Sequence, residues 1–201
     1  MCGFVGFLGA TENNDGVINS MMEKIIHRGP DSSGKFVSEN ITLGFRRLSI
    51  VDIADGEQPM LNEDGSIVVV FNGEIYNHKE LRCELEAAGH RFSTSHSDTE
   101  VLVHGFEEWG ESLVHHLRGM FAFVIYNKKD NSLYGARDMF GIKPFYYTFM
   151  GDSFIFGSEI KAFLPHPHFK KELNETALAH YLSFQYSPCE ETFFKNVFEL
   201  R

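Results

Sequence analysis

The segment "SIVVVFNGEIYN", residues 66–77, constrains the fold of this chain more than any other. From Ile67 to Phe71 every residue is apolar, whereas a strand with one wet face alternates apolar and polar side chains. A continuous run of this kind belongs to a strand covered on both faces. The chain must therefore supply a layer on each side of it. Asn-Gly between two β runs is the strongest short-range hairpin signal, so a pair of β runs hinged at Asn72-Gly73 is the favoured local reading.

The neighbouring segments supply those layers. "CGFVGFL" reads as a first strand and "ITLGFRRLSIVD" as a second extended run. Between them Val17, Ile18, Met21, Met22, Ile25 and Ile26 recur at helical spacing and stop at the breaker "HRGPD". Further helices are expected at "HKELRCELEAAG", closed by Gly89, at "TEVLVHGFEEWG", closed by Gly110, and briefly at "SLVHHLRG". "MFAFVIYNKKDNSLYGARD" predicts a hairpin around Lys128 to Asn131, followed by strands at "KPFYYTF" and "SFIFGSE" and a last helix at "NETALAHYLSF". Doubly buried strands with helices outside imply stacked sheets between helical layers, class α+β. No repeat or linker divides the 201 residues, so one domain is expected.

Charge and cysteine usage exclude several functions. The net charge is −10 and the 18 lysines and arginines are scattered, which argues against a polyanionic partner such as nucleic acid. Cys2, Cys83 and Cys189 are odd in number and irregularly spaced, suiting neither a disulfide framework nor a zinc site. The ten histidines show no ligand spacing, and His115 and His116 diverge on a helix, so no metal is expected. No apolar run approaches the roughly 20 residues of a membrane span, and no basic-then-apolar leader precedes the first strand. No membrane association and a cytoplasmic location are therefore expected.

Several residues could carry chemistry. A thiol at pKa near 8.5 is mostly protonated at pH 7, so a nucleophilic cysteine needs a base. Removal of Met1 would give Cys2 a free α-amine, a group titrating at about 7.7–8.0; otherwise Cys2 is incidental. Asn72-Gly73 can be a turn, or it can converge a side-chain amide and a backbone N–H as an oxyanion hole does. Ile41, Leu43, Phe45 and Arg47 share one strand face, so Arg47 either pairs with an internal acid or grips a substrate carboxylate. Ser97 and Glu100 fit a capping box around Asp98, which is a first-turn acid or an ammonium ligand. "HRGPDSSG", with His27, Arg28 and Asp31, reads as a scaffolding loop. Together, a terminal cysteine, an amide and N–H donor pair, a carboxylate-binding arginine and an ammonium-binding aspartate would suffice to hydrolyse the side-chain amide of a free amino acid.

"MCGFVGF", "HRGPDSSG", "RRLSIVD", "QPM", "FNGEIYNHKELR", "SDTEVLV", "GMFAFVIY", "ARDMFGIKPFYY" and "GSEIKAFL" resemble, in order, the glutaminase domain of glutamine-hydrolysing asparagine synthetases. These are class II glutamine amidotransferases of the N-terminal-nucleophile hydrolase fold, and the likeness spans nearly the whole chain. The resemblance implies a four-layer αββα sandwich with two stacked, mainly antiparallel sheets. It implies that Cys2 attacks the glutamine side-chain carbonyl, its own α-amine handling the proton through a water. It further implies that Asn72 and Gly73 hold the oxyanion, that Arg47 binds the α-carboxylate beside a loop of Leu48, Ser49, Ile50 and Val51, and that Glu74 and Asp98 bind the α-ammonium.

The implied partners are L-glutamine, a C-terminal synthetase domain of the same full-length chain, and a second copy in a homodimer. No cofactor is implied in this domain; ATP and Mg belong to the synthetase domain, whose "SGGxDS" loop this sequence lacks. The end at "FFKNVFELR" suggests truncation at the C-terminal end of the domain. Two alternatives stay open: the same glutaminase chemistry serving a different carboxylate acceptor, or a non-catalytic scaffold if Met1 is retained.

Overall fold

The computed structural model describes residues 1–49, 56–186 and 190–201. In chain order they form β1 (Gly3–Leu8), α1 (Asn14–Lys24), β2 (Ser32–Val37), β3 (Ile41–Arg47), β4 (Met60–Leu61), β5 (Ile67–Ile75), α2 (His78–Ala88), α3 (Asp98–Trp109), β6 (Gly119–Asn127), β7 (Ser132–Arg137), β8 (Tyr146–Met150), β9 (Ser153–Gly157), α4 (Glu175–Phe184) and β10 (Val197–Glu199). Among the described residues the strands make a six-stranded sheet, β10-β8-β9-β1-β3-β2, and a four-stranded sheet, β4-β5-β6-β7. Every pairing is antiparallel. No described helix is long and apolar enough to cross a membrane.

The apolar run of β5 works as its composition requires. Val68 and Val70 point at the other sheet, into a core with Phe4, Leu43, Phe45, Val124 and Phe156. Val69 and Phe71 point the opposite way, onto Leu81, Leu85, Val101 and Leu102 of α2 and α3. On the far side of the six-stranded sheet, Val5 and Phe7 meet Ile18, Met21 and Ile25 of α1. The layer order is thus helix, sheet, sheet, helix. Helix ends follow local chemistry: Asn13 accepts from Gly16 N at 2.9 Å to start α1, and Gly89, at φ 107°, closes α2.

Three local expectations are corrected. Asn72-Gly73 is not a hairpin turn: β5 runs unbroken from Ile67 to Ile75, and β6 pairs with it along its whole length. The turn preference of Asn-Gly yields to a nine-residue ladder that buries both faces of the strand. Ser32 to Gly34, read as loop, begin β2. The helix expected at "SLVHHLRG" is a 3-10 segment, Gly110–His115.

Candidate active site

The side-chain period of the strands decides which groups meet between the sheets. Phe4 faces the inter-sheet core, and so does Cys2, two residues earlier. The β1–β3 register pairs Gly3 with Arg46, so one step further Cys2 stands beside Arg47. Arg47 continues the inward face of Leu43 and Phe45 and is 7% exposed, while Arg46 turns outward to Met22 O and Glu23 on α1. From the opposite sheet, Asn72 and Glu74 continue the inward face of Val68 and Val70. Cys2, Arg47, Asn72 and Glu74, with Leu48, Gly73 and Asp98, line a cavity of about 320 Å³.

The Cys2 thiol is held by the backbone of Leu48. Leu48 N–H donates to Sγ at 3.4 Å, and the S–H reaches Leu48 O at 3.6 Å. Behind it, Arg28 Nε donates to the Cys2 carbonyl at 2.9 Å. Asn72, its amide oriented to satisfy both neighbours, donates to that same carbonyl at 3.1 Å and accepts from Arg28 Nη2 at 3.2 Å. One Nδ2–H of Asn72 thus braces Cys2, and the other remains to serve the cavity. Arg28 is anchored in turn by Glu159 at 3.1 Å.

The ladder fixes where the Gly73 N–H points. Tyr76 N–H bonds to Arg118 O at 2.7 Å, so even-numbered β5 residues bond to β6 and odd-numbered N–H groups face the other edge. On that edge Phe71 N–H meets Gln58 Oε1 at 2.6 Å and Ile75 N–H meets Asp98 Oδ2 at 2.9 Å. The Gly73 N–H lies between them, with no acceptor from β6, and faces the cavity. Only glycine fits here, because a Cβ would lie 2.3 Å from Met120 O and 2.6 Å from the Phe71 ring.

Asp98 is the first residue of α3, reached across the cavity from Cys2. Burial raises its pKa to about 6, and the nearby Glu74 adds to the rise, against the lowering effect of the Ile75 N–H. The capping box expected around it does not form. Ser97 makes no side-chain cap bond, and Glu100 instead accepts from the backbone and hydroxyls of Ser93 and Thr94.

The expected site residues Cys2, Arg47, Leu48, Asn72, Gly73, Glu74 and Asp98 all line this cavity. Ser49 does not line it, its N–H donating to Asp31 Oδ2 at 2.7 Å, and Ile50 and Val51 lie outside the described residues. Three further residues were not expected to act there. Arg28 belongs to a loop read as scaffolding, and the thing it scaffolds is the site. Gln58 bridges Phe71 N and, at 3.3 Å, Thr99 Oγ1, tying β5 to α3. Lys143, 6% exposed, also lines the cavity, its Nζ 3.6 Å from Met1 Sδ. Gln58 and Lys143 fall within the quoted motifs "QPM" and "ARDMFGIKPFYY", but nothing in those motifs gave them a role, since each reaches the cavity only through long-range folding.

Residues 1–201 match the family described as a glutamine amidotransferase domain. Over 193 residues the chain is 49% identical to glutamine-hydrolysing asparagine synthetase 1 of Bacillus subtilis, covering 94% of this chain and 30% of that protein. It is 41% identical to glutamine-hydrolysing asparagine synthetase 3 of the same organism over 207 residues, or 34% of that protein's length. The chain thus spans about a third of these curated relatives. Among solved structures, the glutamine phosphoribosylpyrophosphate amidotransferase of B. subtilis superposes with a TM-score of 0.70 at 24% identity, covering 86% of this chain and 45% of that one. That likeness shows the shared fold.

Proposed function

The chain belongs to the glutamine amidotransferase domain family, and from that premise we propose that its cavity hydrolyses L-glutamine to glutamate and ammonia through a thioester on Cys2. The observation that carries this reading is the placement of one thiol, one inward amide and one unladdered N–H at the same end of the cavity, with an arginine and two carboxylates around them. Removal of Met1 converts the Cys2 nitrogen from a peptide amide into an amine able to take the thiol proton. The thiolate attacks the side-chain carbonyl carbon. The oxygen becomes an oxyanion between Asn72 Nδ2–H and Gly73 N–H, donors fixed in place before the charge develops. Collapse breaks the C–N bond, and the proton held by the amine leaves with ammonia. Water, deprotonated by the same amine, then cleaves the thioester to glutamate.

The remaining groups select a free amino acid. Arg47 offers its guanidinium fork to the α-carboxylate, and Glu74 with Asp98 takes the α-ammonium. The ammonia serves a synthetase domain of the same longer protein that makes asparagine, a reading supported by the name and length of the relatives; ATP and Mg in that domain follow from the family resemblance alone. The test is treatment of the purified protein with an electrophilic glutamine analogue, read by intact mass and by the N-terminal peptide. Loss of Met1 with one adduct on Cys2 is the expected result. Loss of Met1 with Cys2 unlabelled overturns the reading.

Asp98 makes binding pH-dependent. With a pKa raised to about 6, its carboxylate is charged above that pH and neutral below it, and only the charged form attracts an ammonium. In a Cys2→Ala variant, where no turnover intervenes, the Kd for glutamine is expected to rise below pH 6, by up to about tenfold per pH unit. Calorimetry from pH 5 to 8 checks this, and a Kd flat across the range removes Asp98 from ammonium binding. The sign for stability is opposite. The ionised Asp98 is disfavoured by burial, so its cost to the unliganded fold is present above about pH 6 and disappears as pH falls.

A further inference from the structure

On the helical layer over the four-stranded sheet, away from the glutamine cavity, two histidines and a glutamate converge. A C-terminal motif on α2 positions the first: Gly89 N–H bonds to Glu86 O at 3.1 Å and His90 N–H to Leu85 O at 3.0 Å, which turns His90 back over α3. His104 and Glu107 lie three residues apart on α3, hence on one face. One donor atom from each of His90, His104 and Glu107 falls within 4.8 Å of the others. Glu107 Oε2 is 2.9 Å from His104 Nδ1 and 3.6 Å from His90 Nδ1. The imidazole centroids are 5.2 Å apart.

The surroundings are those of a ligand set. His104 is 2% exposed, and its Nε2 is buried without a hydrogen-bond partner, 3.7 Å from Glu100 Oε1. Glu100 cannot swing away, because Ser93 N and Oγ hold its Oε1 at 2.6 and 2.7 Å. His90 Nε2 faces Glu108 Oε2 at 3.1 Å, and Asn62 Nδ2 donates to the second oxygen of Glu107 at 2.7 Å. Each imidazole turns Nδ1 toward the shared Glu107 Oε2, while Nε2 is hydrogen-bonded to Glu108 in His90 and stands 3.7 Å from Glu100, beyond hydrogen-bond reach, in His104. For His90 that is the arrangement by which an outer carboxylate orients a metal-bound histidine.

We propose that His90, His104 and Glu107 bind one Zn²⁺ through the two Nδ1 atoms and Glu107 Oε2, with water in the fourth position. Two imidazole nitrogens and a carboxylate oxygen suit Zn²⁺, whose ligands at about 2.0–2.2 Å stand roughly 3.3 Å from one another in a tetrahedron. The separations of 2.9 and 3.6 Å to Glu107 Oε2 bracket that spacing. Binding displaces up to one proton from each imidazole to solvent and forms the two Zn–N bonds and the Zn–O bond, with no other change of covalent bonding. The metal would pin the end of α2 to α3, the helix that starts at Asp98. The spacing of the histidines in sequence carries no hint of this, since His90 and His104 belong to different helical elements.

The purified protein, stripped with a chelator, is titrated with Zn²⁺ against a chromophoric competitor, and with Co²⁺ as a spectroscopic probe. One ion per chain, a rise in Tm with added Zn²⁺, and tetrahedral cobalt bands without thiolate charge transfer are expected. His90→Ala and the shape-conserving Glu107→Gln are expected to weaken Zn²⁺ binding by more than the 10–100-fold that loss of an outer partner costs, and to abolish the Tm shift. Cys2→Ala is expected to bind as tightly as the parent. Absence of binding at micromolar Zn²⁺, thiolate bands, or binding that survives in His90→Ala and vanishes in Cys2→Ala overturns the proposal. The metal-free Tm of each variant shows that it is folded.

Discussion

Cys2→Ala is expected to lower glutamine hydrolysis by on the order of 10⁴–10⁶-fold, the range lost when a covalent nucleophile is removed. The Kd for glutamine is expected to stay within a few-fold. The physical reason for the split is local. Cys2 is only partly buried, and its sulfur makes two long contacts, both to Leu48 at 3.4 and 3.6 Å, so the truncation removes little that holds the fold. The carbonyl of Cys2, which Arg28 and Asn72 hold, survives the change. Steady-state release of glutamate gives the rate, and calorimetry gives the affinity. Activity within about tenfold of the parent would take the nucleophile's role from Cys2.

Asn72→Ala is expected to reduce kcat by about 10²–10³-fold, equivalent to about 2.7–4 kcal/mol of transition-state stabilisation, with KM little changed. The amide is 2% exposed and already oriented, so its donor costs no reorganisation when the oxyanion forms. Loss of the side chain also removes the brace between Arg28 and the Cys2 carbonyl. Asn72→Asp separates these effects, because a carboxylate accepts from Arg28 but cannot donate to an oxyanion. It is expected to be at least as inactive as alanine while keeping more of the parent Tm. A rise in KM at unchanged kcat would instead place Asn72 in ground-state binding.

The sequence was informative where a physical signal is local. The unbroken apolar run Ile67–Phe71 demanded two covering layers, and β5 received them, a second sheet on one side and α2 with α3 on the other. The face shared by Leu43, Phe45 and Arg47 was legible from a period of two, and the structure sends Arg47 inward along it. Gly89 and Gly110 closed the helices they were expected to close. Of the residues named by the resemblance, Cys2, Arg47, Leu48, Asn72, Gly73, Glu74 and Asp98 line one cavity.

The sequence failed where a residue's role depends on what stands opposite it. Asn72-Gly73 carries a turn signal, and only pairing with β6 turned that dipeptide into an inward amide and an edge N–H. Glu100 fits a capping box by spacing, yet Ser93 and Thr94 hold it instead. Arg28 looked like part of a loop until Glu159, far along the chain, anchored it against Cys2.

Periodicity, caps and apolar runs report burial and local dihedral preference, so the sequence by itself determined the class of the fold, the identity of its central strand and the face on which Arg47 lies. Register and closure are set by contacts between segments distant in sequence, whose energies no local window contains. Tertiary structure therefore decided which N–H groups of β5 are left unpaired by β6, how burial shifts Asp98, and that His90 meets His104 and Glu107 at all.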